Sequence, residues 1–205
     1  IDKSLAAPLA ATLRGRDNVS LHFEDVLRAD LEALDPPPTL CASNLPYSVA
    51  GPFLIEALQR LPGVRRYCVM VQREVAERMA AAPGGKTYGV LSVWVQLYAR
   101  ISRVRSLSRS IFHPVPNVDS SLVVLDRRGP EEQPAVPVGQ LTRVIQAAFS
   151  QRRKTLTNCL ASGLGISRSE ALELVRSLAL SADIRAERLS PRDFVALAQL
   201  IPGMR

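Results

Sequence analysis

Apolar residues along the first 130 positions alternate between two spacings, one typical of helices and one typical of strands. The helical spacing predicts helices at residues 4–14, 52–61, 73–82 and 89–98, with Gly15 ending the first. Alternating or short unbroken apolar runs predict strands at residues 18–26, 39–44, 67–72, 100–108 and 119–128. Strands that alternate with helices and end in a strand pair predict an α/β sheet with helices on both faces and an antiparallel edge.

Two of these strands are expected to be deeply buried. The segment TLCASN at 39–44 is short and follows a proline-rich turn. The segment YCVMVQ at 67–72 is an unbroken apolar run, which is typical of a strand covered on both faces.

The pattern changes after residue 128. A stretch rich in proline and glycine at 128–139 is followed only by helical spacing, which predicts one helix at 139–161. Ser167 and Glu170 form a capping-box pattern that opens a second helix, and Ser190-Pro191 opens the last. We therefore predict a first domain at residues 1–130 and a small all-helical domain at residues 131–205.

Composition narrows the class of protein. No apolar run approaches the length of a membrane span, and the first residues lack a signal-peptide pattern. The three cysteines are far apart and the chain has only two histidines, so neither a disulfide framework nor a metal centre is expected. These features favour a cytoplasmic protein that does not contact a membrane.

Charge is unevenly distributed along the chain. Residues 1–50 carry a net charge of −3, whereas residues 51–205 carry +10. A basic region of this kind is expected where a protein contacts a polyanion, although a solvated basic surface explains the charge equally well. The basic residues include Arg152, Arg153 and Lys154, consecutive on the predicted helix, and a strip that contains Arg105 and Arg109.

Polar side chains follow two neighbouring strands. Asp25 ends the segment 18–26 and Asn44 ends the segment 39–44. Open α/β sheets bind ligands beyond the carboxyl ends of their strands, so both side chains are candidates for a ligand site. For Asp25 alone, capping the following turn is the more common role.

The segment Asn44-Leu45-Pro46-Tyr47 is suited to hold an exocyclic amine. The Asn44 side-chain oxygen and the Leu45 carbonyl can each accept one N–H hydrogen, and Pro46 stiffens the loop. Tyr47 can stack on a base turned out of its helix, and Phe112 on the proline-rich FHPVP loop can face the base from the other side. Each motif taken alone also fits an ordinary turn or a core aromatic.

Six segments, in this order, resemble the small-subunit ribosomal RNA adenine dimethyltransferases, the KsgA/RsmA family. They are NLPYSVAGPFLIEAL, VQREVAERM, PGGKTYGVLSVWVQLYA, FHPVPNVDSSLVVL, FSQRRKTLTNCL and RAERLSPRDFVALA. The resemblance implies a Rossmann-like class I methyltransferase domain with a helical rRNA-binding domain, and an enzyme that uses S-adenosyl-L-methionine and no metal. It further implies dimethylation of N6 of two adjacent adenosines near the 3′ end of 16S rRNA, in the 30S subunit, by a monomer.

The resemblance also assigns roles to single residues. Residues 44–47 match the motif that holds the target amine, and Phe112 matches the aromatic of the proline-rich loop. The methyl donor is expected to contact Ile1, Asp25, Val26 and Asn44. Arg152, Arg153 and Lys154 match a basic helix that faces RNA.

The family's glycine-rich loop and the acidic residue that binds the donor's ribose would precede Ile1. We therefore expect this chain to be truncated at its N-terminus, with an incomplete donor site and impaired activity. Three alternatives share some of these features. They are an Erm-type 23S rRNA methyltransferase, a non-catalytic RNA-binding factor of ribosome assembly, and a DNA amino-methyltransferase.

Overall fold

The computed structural model describes residues 3–201. Its strands are β1 (Leu40–Asn44), β2 (Arg66–Gln72), β3 (Ala99–Leu107) and β4 (Ser120–Arg127). Its α-helices are α1 (Ala6–Thr12), α2 (Ala50–Arg60), α3 (Arg73–Ala80), α4 (Val90–Tyr98), α5 (Val138–Ala148), α6 (Leu156–Leu164), α7 (Arg168–Ser177) and α8 (Pro191–Leu200).

The four strands form one mixed sheet in the order β1-β2-β4-β3. β1 and β2 are parallel, whereas β4 runs antiparallel to both β2 and β3. The α/β sheet with an antiparallel edge that the sequence predicts is therefore confirmed. Parallel β1 and β2 bring the end of β1, at Asn44, beside Met70 at the carboxyl edge of the sheet.

The predicted strand at 18–26 is wrong. Residues 19–23 form no strand, and Val19, Leu21 and Phe23 are each more than 40% exposed. The alternation of apolar residues is real, but a strand also needs a neighbouring strand with which to form hydrogen bonds. None of the strands within residues 3–201 offers one to this segment.

Burial of β1 and β2 is also lower than predicted. β1 is an edge strand with no strand within residues 3–201 paired to its outer edge, and its Leu40 is 65% exposed. In β2 the residues Tyr67, Val69 and Val71 are fully buried, whereas Cys68 and Met70 are only half-buried. One face of the sheet is therefore closed by packing and the other is partly open.

The helical part begins with α5, and its core is continuous with the core beneath the sheet. The single helix predicted at 139–161 is wrong, because α5 ends at Ala148 and α6 begins at Leu156. Ser150 Oγ donates to the carbonyl of Ala147, and the Thr155 hydroxyl accepts the Asn158 amide to start α6. Both hydroxyls satisfy helix-end groups, which stabilises a break that hydrophobic spacing does not reveal.

The guanidinium of Arg127, at the end of β4, caps the C-terminus of α2. Its Nε donates to the Val64 carbonyl at 2.7 Å, and its Nη2 donates to the carbonyls of Leu58 and Leu61 at 3.0 and 2.9 Å. The same Nη2 lies 2.9 Å from the hydroxyl of Tyr67 on β2. A positive charge at this end of a helix also complements the helix dipole.

Replacing Arg127 by Met should lower the free energy of unfolding by about 3 kcal/mol, because several buried carbonyls lose a charged donor. Arg66→Met is the matched control. Arg66 pairs with Asp126 at 2.6 Å but its side chain is 61% exposed, so its loss should cost less than about 1 kcal/mol. Urea denaturation measures the free energy of unfolding of both variants. Equal losses would show that the Arg127 cap stabilises the protein no more than an exposed ion pair does.

Gly163 allows α6 to approach α5 closely. A Cβ at this position would lie 2.5 Å from the Cβ of Ala147 and 2.7 Å from its Cα. Gly163→Ala should therefore destabilise the protein by about 2 kcal/mol through overpacking. Gly139→Ala is the control, since it lies in α5 with no atom within 4 Å and should stabilise by up to about 1 kcal/mol. Urea denaturation should show opposite signs for the two variants.

Candidate active site and RNA-binding cleft

The loop at residues 44–49 connects the end of β1 to α2. The Val49 amide donates to the Pro46 carbonyl at 3.0 Å, which closes the turn immediately before α2 begins at Ala50. Asn44 is exposed, and within residues 3–201 its side chain makes no hydrogen bond. Its amide is thus available to a ligand at the carboxyl edge of the sheet.

Tyr47 is joined by a hydrogen bond to β4, at the same edge of the sheet as Asn44. Its hydroxyl lies 3.0 Å from Oγ of Ser120, the first residue of β4. The side chain of Tyr47 is half-buried, whereas Asn44 and Pro46 on the same loop are exposed. The ring therefore has one fixed end and one accessible side.

Phe112 lies in the loop between β3 and β4 and is half-buried. The base of this loop is closed by the Arg109 amide, which donates to Asp119 Oδ1 at 3.1 Å, and the Phe112 amide donates to the Arg109 carbonyl. Asp119 directly precedes Ser120. The two predicted aromatics are thus connected to adjacent residues at the start of β4.

Asp25 forms a turn. Its Oδ1 accepts the Leu27 amide at 3.0 Å, and its carbonyl accepts the amides of Arg28 and Ala29. The carboxylate is exposed and Val26 is half-buried, so a contact between Asp25 and the methyl donor stays a prediction. Ile1 lies outside the described residues.

The basic residues Arg152, Arg153 and Lys154 lie in the turn between α5 and α6. The prediction that they lie on a helix is therefore wrong, because the helix breaks before them. All three are exposed, and Arg152 Nη2 donates to the Lys86 carbonyl at 3.3 Å. Arg105 on β3 and Arg109 are also exposed.

A cleft of about 1020 Å³ is lined by residues of α2, α3 and α4 and by the turn between α5 and α6. Tyr47 and Ser48 line one part of it, and Arg152 and Lys154 line another. Three further basic residues that the sequence analysis did not select also line it, namely Arg78, Lys86 and Arg185. The sequence offered two signals for these residues, namely their charge and the position of Lys86 in the PGGK turn. It could not show that they line one cleft, because that depends on the tertiary fold.

Hydrogen bonds across the cleft hold the helical part against the loop at residues 82–89. The Gly84 amide donates to the Glu187 carbonyl at 2.6 Å, and the Tyr88 hydroxyl donates to the Leu189 carbonyl at 2.8 Å. Burial raises the pKa of the Tyr88 phenol, which therefore stays protonated as a donor. Together with the bond from Arg152 to the Lys86 carbonyl, these contacts join the loop at residues 82–89 to the helical part.

Within the described part of the chain, no helix is long and apolar enough to cross a membrane. The same residues contain no group of three or more histidine, cysteine, aspartate or glutamate side chains placed to bind a metal ion.

Comparison with solved structures defines the class of fold. A dimethyladenosine transferase from Plasmodium falciparum matches with a TM-score of 0.73 and 23% identity, covering 95% of this chain and 76% of that one. The 23S rRNA methyltransferase ErmE matches with a TM-score of 0.60 and 22% identity, covering 97% and 78%. The fold is that of a class I methyltransferase, as predicted.

The chain belongs to the ribosomal RNA adenine dimethylase family, whose model matches residues 1–201. The ribosomal RNA small subunit methyltransferase A of Kineococcus radiotolerans is 42% identical over 206 residues, covering 99% of this chain and 68% of that protein. The protein of the same name from Rubrobacter xylanophilus is 41% identical over 203 residues, covering 98% and 74%. The resemblance drawn from the six segments is confirmed.

Enzymes of this family take the methyl group from S-adenosyl-L-methionine. The free amide of Asn44, at the carboxyl edge of parallel strands, fits the place where such folds bind a ligand. Asp25 and Val26 are the other described residues expected to hold the donor.

Proposed function

We propose that this protein dimethylates N6 of two adjacent adenosines in a loop near the 3′ end of 16S rRNA, within the 30S subunit. The observation that carries the proposal is the position of Asn44 and Tyr47. Asn44 presents an uncommitted amide at the sheet edge, and Tyr47 lines a cleft that also contains exposed basic residues. The relatives at 41–42% identity are small subunit enzymes, which favours 16S over 23S rRNA.

The chemistry required of the chain is to make an aromatic amine nucleophilic. The lone pair of adenine N6 is delocalised into the ring, so the nitrogen is a poor nucleophile until its geometry becomes tetrahedral. The side-chain oxygen of Asn44 and the carbonyl of Leu45 each accept one N–H hydrogen, which favours that geometry. The proton leaves to water after transfer, so the site needs no histidine or carboxylate base.

Binding of the target requires a base outside its helix, and Tyr47 and Phe112 provide the stacking surfaces. The exposed side chains of Arg105, Arg109 and the basic turn at 152–154 neutralise backbone phosphates. We further propose that the sheet domain is residues 1–130, that residues 131–205 form the rRNA-binding domain, and that the protein acts as a cytoplasmic monomer.

An Erm-type 23S rRNA methyltransferase is the nearest alternative, since it has the same chemistry. Mass spectrometry of rRNA from a deletion strain distinguishes the two substrates. We expect the dimethylated adenosines to disappear from 16S rRNA, and loss from 23S rRNA instead would overturn the assignment. A non-catalytic assembly factor would leave both unchanged, and methylation of duplex DNA but not of 30S particles would indicate a DNA enzyme.

Asn44→Ala in the full gene product should reduce methyl transfer to 30S particles by on the order of 100-fold, because one of two acceptors for the amine is lost. Thermal unfolding should be unchanged, since Asn44 is exposed. Asn18→Ala, which removes an exposed asparagine from the turn after α1, is the matched control and should retain wild-type turnover. Near-normal turnover of Asn44→Ala would contradict the role in holding the amine.

Replacing both Arg152 and Arg153 by Gln should weaken RNA binding and lower the slope of log affinity against log salt by about 2. Fluorescence anisotropy with an RNA from the 16S 3′ region measures both quantities. The matched control changes Arg168 and Arg176 to Gln on α7, which removes the same charge from exposed positions of the helical part. Equal slopes for the two double variants would show that the turn at 152–154 is only a solvated basic surface.

A further inference from the structure

We infer that Ser120 is a positioning residue for methyl transfer: its hydroxyl holds the ring of Tyr47 in the orientation that stacks on the target adenine. The inference rests on the proposed function and adds to it a residue outside the target-amine motif. The hydroxyls of Tyr47 and Ser120 lie 3.0 Å apart, although the two residues are 73 positions apart in the chain.

Ser120 is a rigid attachment point. It is fully buried, and as the first residue of β4 it pairs with Gln72 of β2 and Leu107 of β3. The preceding carbonyl, that of Asp119, accepts the Arg73 amide at 3.0 Å. Neighbouring elements thus hold the main chain on both sides, so Oγ of Ser120 is displaced little by motion of the loops.

Tyr47, in contrast, lies on a short loop that projects from the sheet. A half-buried tyrosine can adopt more than one staggered χ1 rotamer, and its ring direction changes with each. A hydrogen bond at the para position, the far end of the ring, selects the rotamer that reaches Ser120. The bond uses only the hydroxyl, so it leaves the accessible side of the half-buried ring available for stacking.

The residue type at position 120 is explained by this contact. The next two positions on the same face of β4, Leu122 and Val124, are apolar and half-buried. A buried hydroxyl is costly unless it has a partner, and the Tyr47 hydroxyl is the side-chain partner that Ser120 has within the described residues. The hydrogen bond to Tyr47 offsets this cost for the buried hydroxyl of Ser120.

The contact also relates the two aromatic surfaces to each other. Ser120 follows Asp119, whose carboxylate closes the loop that carries Phe112. The hydrogen bonds that hold Tyr47 and the Phe112 loop therefore both end at the start of β4, one at Ser120 and one at Asp119. Loss of the Tyr47–Ser120 bond should misplace one wall of the base pocket without weakening the contacts of the RNA backbone with basic residues.

The test is a double-mutant cycle in the full gene product with Tyr47→Phe, Ser120→Ala and the two combined. Each single variant should lower the single-turnover rate of methyl transfer to 30S particles by roughly 10-fold while the RNA Kd changes less than about 2-fold. The combined variant should be no slower than the slower single variant, because both changes remove the same bond. An RNA with 2-aminopurine at the target position should show a smaller fluorescence rise with all three variants.

Ser121→Ala is the matched control. Ser121 is the adjacent buried serine, but its side chain is on the opposite face of β4, so its loss should leave the rate and the fluorescence rise at wild-type values. Wild-type rates for Ser120→Ala, or losses that multiply to roughly 100-fold in the combined variant, would overturn the inference.

Thermal unfolding tests the hydrogen bond between Tyr47 and Ser120 in the absence of a substrate. Each single variant should lower Tm by about 2 °C and the combined variant by no more than either, and additive losses would overturn the inference. A wild-type protein that fails to methylate 30S particles would refute the proposed function, and this thermal cycle would still decide whether Ser120 holds Tyr47. The two failures are therefore distinguishable.

Discussion

The cap that Arg127 forms on α2 is the interaction on which the rest of the site depends. One guanidinium joins the end of β4, the C-terminus of α2 and the hydroxyl of Tyr67 on β2. Tyr67 in turn donates to the Ala57 carbonyl at 3.0 Å, so the helix is held to the sheet at two neighbouring points. Because the loop at residues 44–49 runs directly into α2, fixing the helix also fixes where that loop leaves the sheet.

β4 holds the site from both of its ends. Its last residue holds the far end of α2, and its first residue, Ser120, holds Tyr47. The target-amine loop is thus held by α2 on one side and by the Ser120 hydroxyl on the other, while the side chain of Asn44 makes no hydrogen bond within residues 3–201. A rigid loop that presents one uncommitted amide is suited to an amine that must be held in a less stable geometry, since little reorganisation is then required in the transition state.

Local sequence pattern predicted those elements whose periodicity is clear and bounded by turn residues. α2, α3, α4, β2 and β4 lie within two residues of their predicted bounds because each contains its own periodicity and turn residues. The segment 18–26 has an equally clear alternation, yet it forms no strand, since strand formation depends on a neighbour that periodicity cannot specify. The break in the predicted helix at 139–161 was missed for the opposite reason. Ser150 and Thr155, which satisfy the helix ends at this break, are local in sequence. The helical spacing of apolar residues continues on both sides of them, so it predicts one unbroken helix.

The candidate site shows the same division between local and non-local information. Asn44, Tyr47 and Phe112 could be selected from the sequence because each lies in a motif whose chemistry is visible in consecutive residues. Ser120 could not be, because its role depends on a contact across 73 positions. The cleft is likewise a product of tertiary contacts: Gly84 and Tyr88 hold the helical part through carbonyls, which every residue has, so no side-chain pattern marks their partners. Sequence can therefore identify the groups that we propose to act on the adenine, whereas the groups that set their distances have to be found in the structure.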